Sequence, residues 1–332
     1  MFRFVSVLIV SLFFIGFEYF VLGVDLAGLS RAELVPTARD SWKEIKEEYL
    51  RGLAVTIRYS LVDDPRNASE ARILIDEKNE YNRFSRLNYP DETIHVVNTR
   101  YSFNIRQEGD DDSWALQEMF DSPDQARTHQ RMHGGVLLGT SLVFAGVMLE
   151  EAWLDDLMDS ATFEILSVSP KRMENDDNEY VELTFKSDFL SDNGATKVRG
   201  GRVLLMPNLH WVVKQYEVNL ESDFGENNVA HLKGTRFIDY EIIDGIPFPR
   251  RSESIYSFEN DGKVFSHMKC DYVSIKRGGI PTDILYLRHY GFSEPISPSH
   301  WGSTFRIITA VLGILMILLG LYMRYLAIRR KP

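Results

Sequence analysis

From residue 163 to residue 276 the chain alternates apolar and polar residues with a period of two, interrupted at short intervals by turn sequences. Segments such as EYVELTFKSD, WVVKQYEVNLE and KVFSHMKCDYVSI are separated by groups of Gly, Asn, Asp and Pro. Alternation over such short segments predicts half-buried β-strands, and turn-length loops predict an antiparallel meander. No helix-length segment separates these strands, so the pattern excludes a doubly wound parallel sheet.

The first third of the chain predicts one helix followed by further strands. In VPTARDSWKEIKEEYLRGL, apolar residues recur at spacings of three and four, and Thr37 is placed as the N-cap. VTIRYSL then alternates as a half-buried strand. HVVNTRYSFNIRQ alternates along its whole length and predicts a single strand.

An apolar segment in the middle of the chain, residues 135–149, interrupts the strand pattern and predicts a helix. Its fifteen residues would span only ~22 Å as a helix, which is short of the ~30 Å hydrocarbon core of a bilayer. Polar residues flank it on both sides. We therefore expect a buried helix that covers the sheet rather than a membrane crossing.

The N-terminal residues 1–23 form a long apolar run with one basic residue, Arg3, near its start. Small residues before the end of the run suit cleavage after Gly23, as in a secretory signal peptide. Glu18 and the length of the run are equally compatible with an uncleaved signal anchor. In both alternatives the chain beyond residue 23 is exported.

The C-terminal residues 305–328 predict a transmembrane helix. The stretch from 307 to 323 has no charge, and Arg324 can extend its side chain towards the interface. The basic tail, 329–332, favours a cytoplasmic C-terminus. Residues 291–304 form a linker rich in Pro, Ser and Gly. The expected product is a single-pass membrane protein whose main domain, 24–290, lies outside the cytoplasm.

Charge and cysteine content narrow the possible partners. Six of the 37 basic residues but only one of the 48 acidic residues lie in the two end segments, so the body between them carries a net charge near −16. Binding nucleic acid depends on neutralising phosphates with cations, so nucleic acid is excluded as a partner. The single cysteine, Cys270, cannot form an intramolecular disulfide and is predicted to be a small buried hydrophobe.

The segment DYEIIDGIPFPRRSESIYSFE, residues 239–259, predicts a hairpin whose turn is Gly-Ile-Pro-Phe-Pro. Pro247 and Pro249 cannot donate to a sheet ladder, which predicts that they lie at a sheet edge or outside the sheet. With the neighbouring LMPNLHWVVKQYEV and the earlier NTRYSFNI, this hairpin resembles the lipoprotein-carrier (LolA/LolB-like) superfamily of bacteria. The resemblance covers roughly residues 160–276.

The resemblance implies an α+β fold: a curved, unclosed antiparallel sheet, or half-barrel, with covering helices and an apolar cavity for acyl chains between the two layers. Segment 135–149 would be the covering helix. A chain tethered by its own transmembrane helix cannot shuttle, which favours an acceptor, sensor or scaffold. None of the family's ligand-contacting residues matches a position in this chain.

Other candidate chemistry is weak. His129 and His133 share one helical face and could form a metal pair, but no third ligand has a suitable spacing. The acidic sequences GDDDSW and ENDDNEY lack the spacing of a calcium loop. We therefore assign no catalytic, cofactor-binding or metal-binding residue and expect no cofactor.

The main functional hypothesis is non-enzymatic binding of an apolar ligand, a lipid or lipoprotein acyl chain, on the apolar face of the sheet. The alternative is a structural or protein-interaction module of the cell envelope whose sheet is fully packed. An enzyme is the third possibility, for which a cleft of convergent ionisable groups would be required.

Overall fold

A computed structural model describes residues 31–107, 113–121, 142–173, 176, 178–191, 196–223 and 229–295. The chain divides into two compact units, with the boundary between Leu285 and Tyr286. All of the strands and α-helices within the described ranges belong to the first unit. The described part of the second unit contains a 3-10 turn at Leu287–Tyr290.

The first unit is built on one large antiparallel sheet. Thirteen strands pair in the order β6-β5-β4-β3-β2-β1-β15-β14-β13-β12-β11-β10-β9, and the sheet is curved and unclosed. A short hairpin, β7 and β8, stands apart from it. The strands are β1 Leu53–Leu61, β2 Asp64–Ile75, β3 Glu80–Arg86, β4 Glu92–Val97, β5 Ser102–Gln107, β6 Trp114–Phe120, β7 Met148–Leu149, β8 Ala152–Trp153, β9 Glu164–Arg172, β10 Glu179–Leu190, β11 Thr196–Met206, β12 Val212–Asp223, β13 Val229–Ile243, β14 Ile246–Phe258 and β15 Val264–Arg277.

The sheet consists of two meanders, β1–β6 and β9–β15, joined where β1 pairs with β15. Within each meander, strands that succeed each other in sequence are neighbours in the sheet. The predicted antiparallel meander is therefore confirmed, and the curved, unclosed sheet agrees with the predicted fold class at that level.

One face of the sheet, called the inner face here, carries the hydrophobic core. Val55, Ile57, Leu183 and Phe185 point to it and are buried. Along β10–β13 the opposite, outer face carries cross-strand ion pairs, such as Arg202 with Glu217 at 3.1 Å. At β3–β5 the outer face is buried as well, through side chains that include Tyr81, Ile94, Val96, Phe103 and Ile105.

The described residues of this unit form two α-helices, α1 at Arg31–Leu50 and α2 at Leu154–Asp159. The buried side of α1 consists of Ala38, Trp42, Ile45 and Tyr49, the three-and-four spacing of an amphipathic helix. The Trp42 indole N–H donates to the carbonyl of Trp211 at 2.8 Å. The N-cap prediction was wrong, because α1 begins six residues before Thr37.

The predicted covering helix at 135–149 is only partly correct. Residues 135–141 lie outside the described residues. From Phe144 the chain turns and then enters β7, so the helix prediction is wrong there. Residues 142–149 are nonetheless buried on the inner face: Tyr272 donates to the carbonyl of Leu142 at 2.6 Å, and the backbone N–H of Val213 donates to the carbonyl of Gly146 at 2.9 Å.

The hairpin at 239–259 differs from the prediction in the position of its turn. The turn is Asp244-Gly245, with φ values of 53° and 82°, and Pro247 already belongs to β14. The two prolines are tolerated because β14 pairs with β15 only from Arg251 onwards. On that unpaired side, the Tyr49 hydroxyl of α1 donates to the Pro247 carbonyl.

The predicted single strand HVVNTRYSFNIRQ is two strands, β4 and β5. Asn98 causes the break: its side-chain oxygen accepts from the backbone N–H groups of Arg100 at 2.8 Å and Tyr101 at 3.0 Å. This is the turn that asparagine side chains form with their own backbone. Alternation continues through the turn, so periodicity alone does not reveal it.

No helix within the described ranges is long and apolar enough to cross a membrane. The predicted signal segment, 1–23, and the predicted transmembrane segment, 305–328, both lie outside those ranges.

We expect Tyr49→Phe to lower the free energy of unfolding by about 1–3 kcal/mol, because it leaves the buried Pro247 carbonyl without its donor. The ring, which stacks on Phe248 at 4.7 Å, is retained. The measurement is urea unfolding of the full chain followed by tryptophan fluorescence. Tyr89→Phe, at a ring that is 52% exposed, is the matched control and should change nothing measurable. Equal effects of the two variants would contradict this account.

Candidate functional site

The register of β1–β5 places a set of polar side chains on the inner face, next to the apolar core. Residues directly opposite each other on paired strands share a face, so each cross-strand row can be followed outwards from a core residue. The row that starts at Tyr59 becomes polar at β2, the row from Val55 at β3 and the row from Ile57 at β4. The rows are Tyr59–Ser69–Arg86, Ile57–Ala71–Phe84–Thr93–Arg106 and Val55–Ile73–Asn82–His95–Asn104.

The first two rows form a cleft of about 260 Å³, called the β1–β5 cleft here. This volume is close to the lower end of the ~300–1,000 Å³ range of ligand sites. Its walls combine two aromatic rings, hydroxyl groups and charged groups. The lining residues are Tyr59, Ser69, Phe84, Ser85, Arg86, Asp91, Thr93 and Arg106.

Tyr59 sits where the cleft meets the core. Burial raises the pKa of its phenol, and the neighbouring Ser69 hydroxyl and Arg86 guanidinium partly oppose that shift. Arg86 itself is exposed, and its guanidinium lies 5.8 Å from the centre of the Tyr89 ring. The phenol therefore stays protonated at neutral pH and offers a hydroxyl group to the cleft.

On the other side of the cleft, Arg106 donates to the carboxylate of Asp91 at 3.1 Å. The two side chains are 45% and 39% exposed. Exposed ion pairs of this kind contribute little to stability, because solvent screens them and two long side chains must be ordered. Because the Arg106 guanidinium already binds a carboxylate oxygen in the cleft, it is oriented so that it can bind an oxyanion there.

Next to the cleft on the same face, the third row is polar from β3 onwards. Asn82 and His95 are almost fully inaccessible, and burial lowers the pKa of His95 to about 3. Asn82 donates from its amide to Glu80 at 2.7 Å. Within the described part of the chain, the side-chain oxygens of Asn82 and Asn104 are buried without a hydrogen-bond partner. A neutral imidazole and two amides therefore lie in the row next to the cleft.

An apolar surface adjoins the cleft on the same face, along β14, β15 and the end of β1. Its members are half-buried or exposed; Leu61 is 46% exposed and Phe265 is 47% exposed. The ring of Phe265 lies 5.1 Å from that of Phe258 and 6.0 Å from that of Tyr256. We call this set the apolar rim: Leu61, Tyr256, Phe258, Phe265 and Met268.

A second polar group on the inner face fastens the β7–β8 hairpin to the sheet. The Glu150 carboxylate accepts from the hydroxyl of Tyr216 at 2.7 Å and from that of Tyr256 at 2.8 Å. Arg236, buried between these strands, donates to Ser254 at 2.8 Å. Burial raises the pKa of Tyr216 well above its ordinary value, and Glu150 adds to that effect against Arg236.

The hairpin turn itself is formed by Glu150 and Glu151, with φ values of 46° and 62°. Two-residue hairpin turns of this kind favour Asn and Gly, because both positions require positive φ. Position 150 therefore carries a residue with a side chain, although positive φ is unfavourable for such a residue. Gly234 lies below it on β13, where an added Cβ would stand 2.9 Å from a Glu150 carboxylate oxygen. Glu150 therefore has a structural role: it holds the β7–β8 hairpin on the inner face of the sheet.

Another cleft, of about 130 Å³, lies on the outer face of β10–β12. Its charged side chains pair with one another: Lys171 with Glu182 at 3.6 Å and Arg202 with Glu217 at 3.1 Å. These pairs account for the polar groups of that cleft, so we do not regard it as the functional site.

The sites considered from sequence fall in different places. His129, His133 and most of GDDDSW lie outside the described residues. In ENDDNEY, Asp176 accepts from Asn178 and Tyr180, so its carboxylate is used within its own loop. Burial raises the pKa of the Cys270 thiol to about 11, in agreement with the predicted buried hydrophobe. The described residues contain no group of three or more metal-ligating side chains.

The predicted ligand cavity between segment 135–149 and the sheet stays a prediction, because residues 135–141 lie outside the described residues. Residues 142–149 contact the sheet through the Tyr272 and Val213 hydrogen bonds. The β1–β5 cleft lies on the inner face of the other meander. Sequence reasoning missed Arg86 and Arg106, although each continues the inner-facing alternation of its own strand.

No protein-family model matches the chain, and no curated protein matches it.

We expect the stability contributed by neutral His95 to decrease as the pH falls. Its pKa is about 3 in the folded chain and about 6.5 when unfolded, so between these values the unfolded chain binds more protons. The free energy of unfolding of the wild type should fall by about 1.4 kcal/mol per pH unit relative to His95→Gln below pH 6.5. Unfolding is measured at pH 7, 6 and 5, with His231→Gln at an exposed position as control. A difference that does not change with pH would contradict the prediction.

We expect Glu150→Gly to destabilise the protein by about 2 kcal/mol, although glycine suits its positive φ. Two tyrosine hydroxyls lose a charged acceptor, which exceeds the ~1 kcal/mol of backbone strain relieved. Asp244→Gly is the matched control, because Asp244 has a φ of 53° at the same position of a two-residue turn and is exposed. That variant should be neutral or slightly stabilising in thermal unfolding. Destabilisation of similar size in both would show that the hydrogen bonds of Glu150 are unimportant.

Proposed function

We propose that this protein is a non-enzymatic binding protein of the cell envelope that holds an apolar ligand, a lipid or lipoprotein acyl chain, on the inner face of its sheet. The observation that supports the proposal is the apolar rim. Leu61 and Phe265 are almost half exposed on a face whose other apolar residues form the core. Exposed apolar surface on a monomer is typical of ligand and partner sites.

The shape of the surface agrees with a ligand of this class. The rim is continuous with the β1–β5 cleft through Tyr59, which pairs with Cys270 on β15 and with Ser69 on β2. An acyl chain lying on the rim would place its end at the cleft. A curved half-barrel with an acyl site on its inner side is also what the resemblance to lipoprotein carriers implies.

The membrane location is part of the same proposal. Residues 305–328 would span the membrane, residues 291–304 would link this segment to the sheet domain, and the domain would lie on the extracytoplasmic side. Residues 1–23 would direct export, either as a cleaved signal peptide or as a signal anchor. A tethered acyl-binding domain suits an acceptor or sensor better than a shuttle.

The alternative is a structural or interaction module of the envelope without a ligand. Direct packing of residues 142–149 on the sheet favours it, because that part of the inner face is already filled. The two proposals differ at the rim and the cleft. In the alternative, these surfaces contact a protein, and acyl probes show no preference for them.

We expect an acyl chain carrying a photoreactive diazirine to label the full-length protein in detergent at peptides from the rim and the cleft. Ser69→Phe places a ring in the cleft and should reduce this labelling about fivefold or more by steric exclusion. Ser60→Phe is the matched control, because Ser60 is a half-buried serine on the outer face of neighbouring β1 and should leave labelling unchanged. Labelled peptides are identified by mass spectrometry. Labelling spread evenly over the chain would favour the alternative.

A further inference from the structure

We infer that the β1–β5 cleft binds the anionic head group, a carboxylate or a phosphate, of the ligand whose acyl chain lies on the apolar rim. This inference rests on the proposed function and adds the chemical class of the ligand. It depends on two arginines, on two hydroxyl residues next to them and on the position of the cleft at the end of the rim.

Two cations and one carboxylate, Asp91, line the cleft, which leaves it positively charged in a protein whose body carries a net charge near −16. Within the described residues, the guanidinium of Arg86 forms no ion pair and lies over the Tyr89 ring, 5.8 Å from its centre. On the outer face, Arg58, Arg83, Arg202 and Arg251 each pair with a carboxylate on a neighbouring strand. Unlike these four, Arg86 is a cation without an acidic partner among the described residues.

Arg106 shows how an oxyanion would be held. Its guanidinium donates to one carboxylate oxygen of Asp91 at 3.1 Å within the cleft. The pair is exposed and therefore weak, so a ligand carboxylate or phosphate can replace Asp91 at little cost. Guanidinium groups suit both anions because their N–H donors match the spacing of the oxygens.

Hydroxyl groups next to each arginine complete the polar lining. Ser69 lies opposite Arg86 in one cross-strand row, and Thr93 lies opposite Arg106 in the next. Hydroxyls donate to carboxylate and phosphate oxygens, and such hydrogen bonds to a charged acceptor are stronger than neutral ones. The cleft therefore offers both charge and donors from four adjacent strands.

The cleft volume sets what it can hold. At about 260 Å³ it lies below the range of most ligand sites, so it suits a head group rather than a whole lipid. The apolar remainder would lie along the rim, beginning at Tyr59 and Leu61. The polar end of the ligand is thus assigned to the cleft and its apolar body to the rim, two adjoining surfaces on the inner face of the sheet.

Three photoreactive probes with the same acyl chain test this inference on the full-length protein in detergent: a fatty acid, its alcohol and its phosphate monoester. We expect both anionic probes to label cleft and rim peptides about tenfold more than the alcohol at neutral pH and low salt. The preference should decrease at high salt, because screening weakens exposed charge interactions. A difference between the two anionic probes would identify which head group is preferred.

Variants then assign the preference to the arginines. Arg86→Gln should reduce labelling by the anionic probes about threefold, and the double variant with Arg106→Gln about tenfold, with no change for the alcohol. Arg72→Gln is the matched control, since Arg72 is exposed on the outer face of β2. Thermal unfolding verifies that each variant is folded.

The outcomes separate the two proposals. Equal labelling of the cleft by alcohol and anionic probes would overturn the head-group inference and leave acyl binding intact. Anionic labelling that is unchanged in the folded double variant would also overturn it. If none of the three probes labels rim or cleft peptides, the proposed function itself fails.

Discussion

The connection between the two edges of the sheet is the constraint on which the rest of the structure depends. β6 and β9 are the outermost strands of a thirteen-strand sheet, so the chain between them must pass from one edge to the other. Twelve steps of about 4.8 Å correspond to roughly 58 Å along the sheet. The described part of that connection runs along the inner face, where residues 142–149 and the β7–β8 hairpin are buried. Glu150 fastens it there through Tyr216 and Tyr256.

With this topology the inner face of the sheet is covered unevenly. The candidate site lies where that face is left uncovered. The connection and α1 fill much of the inner face of the meander β9–β15, and Trp42 and Tyr49 of α1 are bonded to backbone carbonyls of that meander. The ends of β14 and β15 remain partly exposed as the apolar rim. The inner face of β1–β5 becomes polar along each cross-strand row, with Arg86 and Arg106 in the cleft and neutral His95 in the neighbouring buried row. The inner face thus carries the hydrophobic core, the exposed apolar rim and the polar cleft side by side.

The amount that could be predicted from the sequence depends on what alternation encodes. It reports strands and their spacing, so the meander of β9–β15 was predictable, as was the burial of 142–149. It does not report where a strand turns when the turn preserves the period, as at Asn98. Alternation also does not fix which residues stand opposite one another, since a slip of two residues keeps every side chain on the same face. Arg86, Thr93 and Arg106 become neighbours only through that register, so the cleft could not be foreseen.

The two prolines of β14 are a case in which the sequence leaves the position of a strand open and packing decides it. Alone, Pro247 and Pro249 indicate an edge or a break, because neither can donate to a neighbouring strand. In the structure β14 is internal, yet it is unpaired towards β15 along this same stretch, so the missing donors have no ladder to complete. Tyr49 of α1 donates to the Pro247 carbonyl on this side and stacks on Phe248. The prolines therefore leave one stretch of β14 unpaired, and Tyr49 of α1 binds there. This contact connects the β13–β14 hairpin to the helix that packs on the inner face.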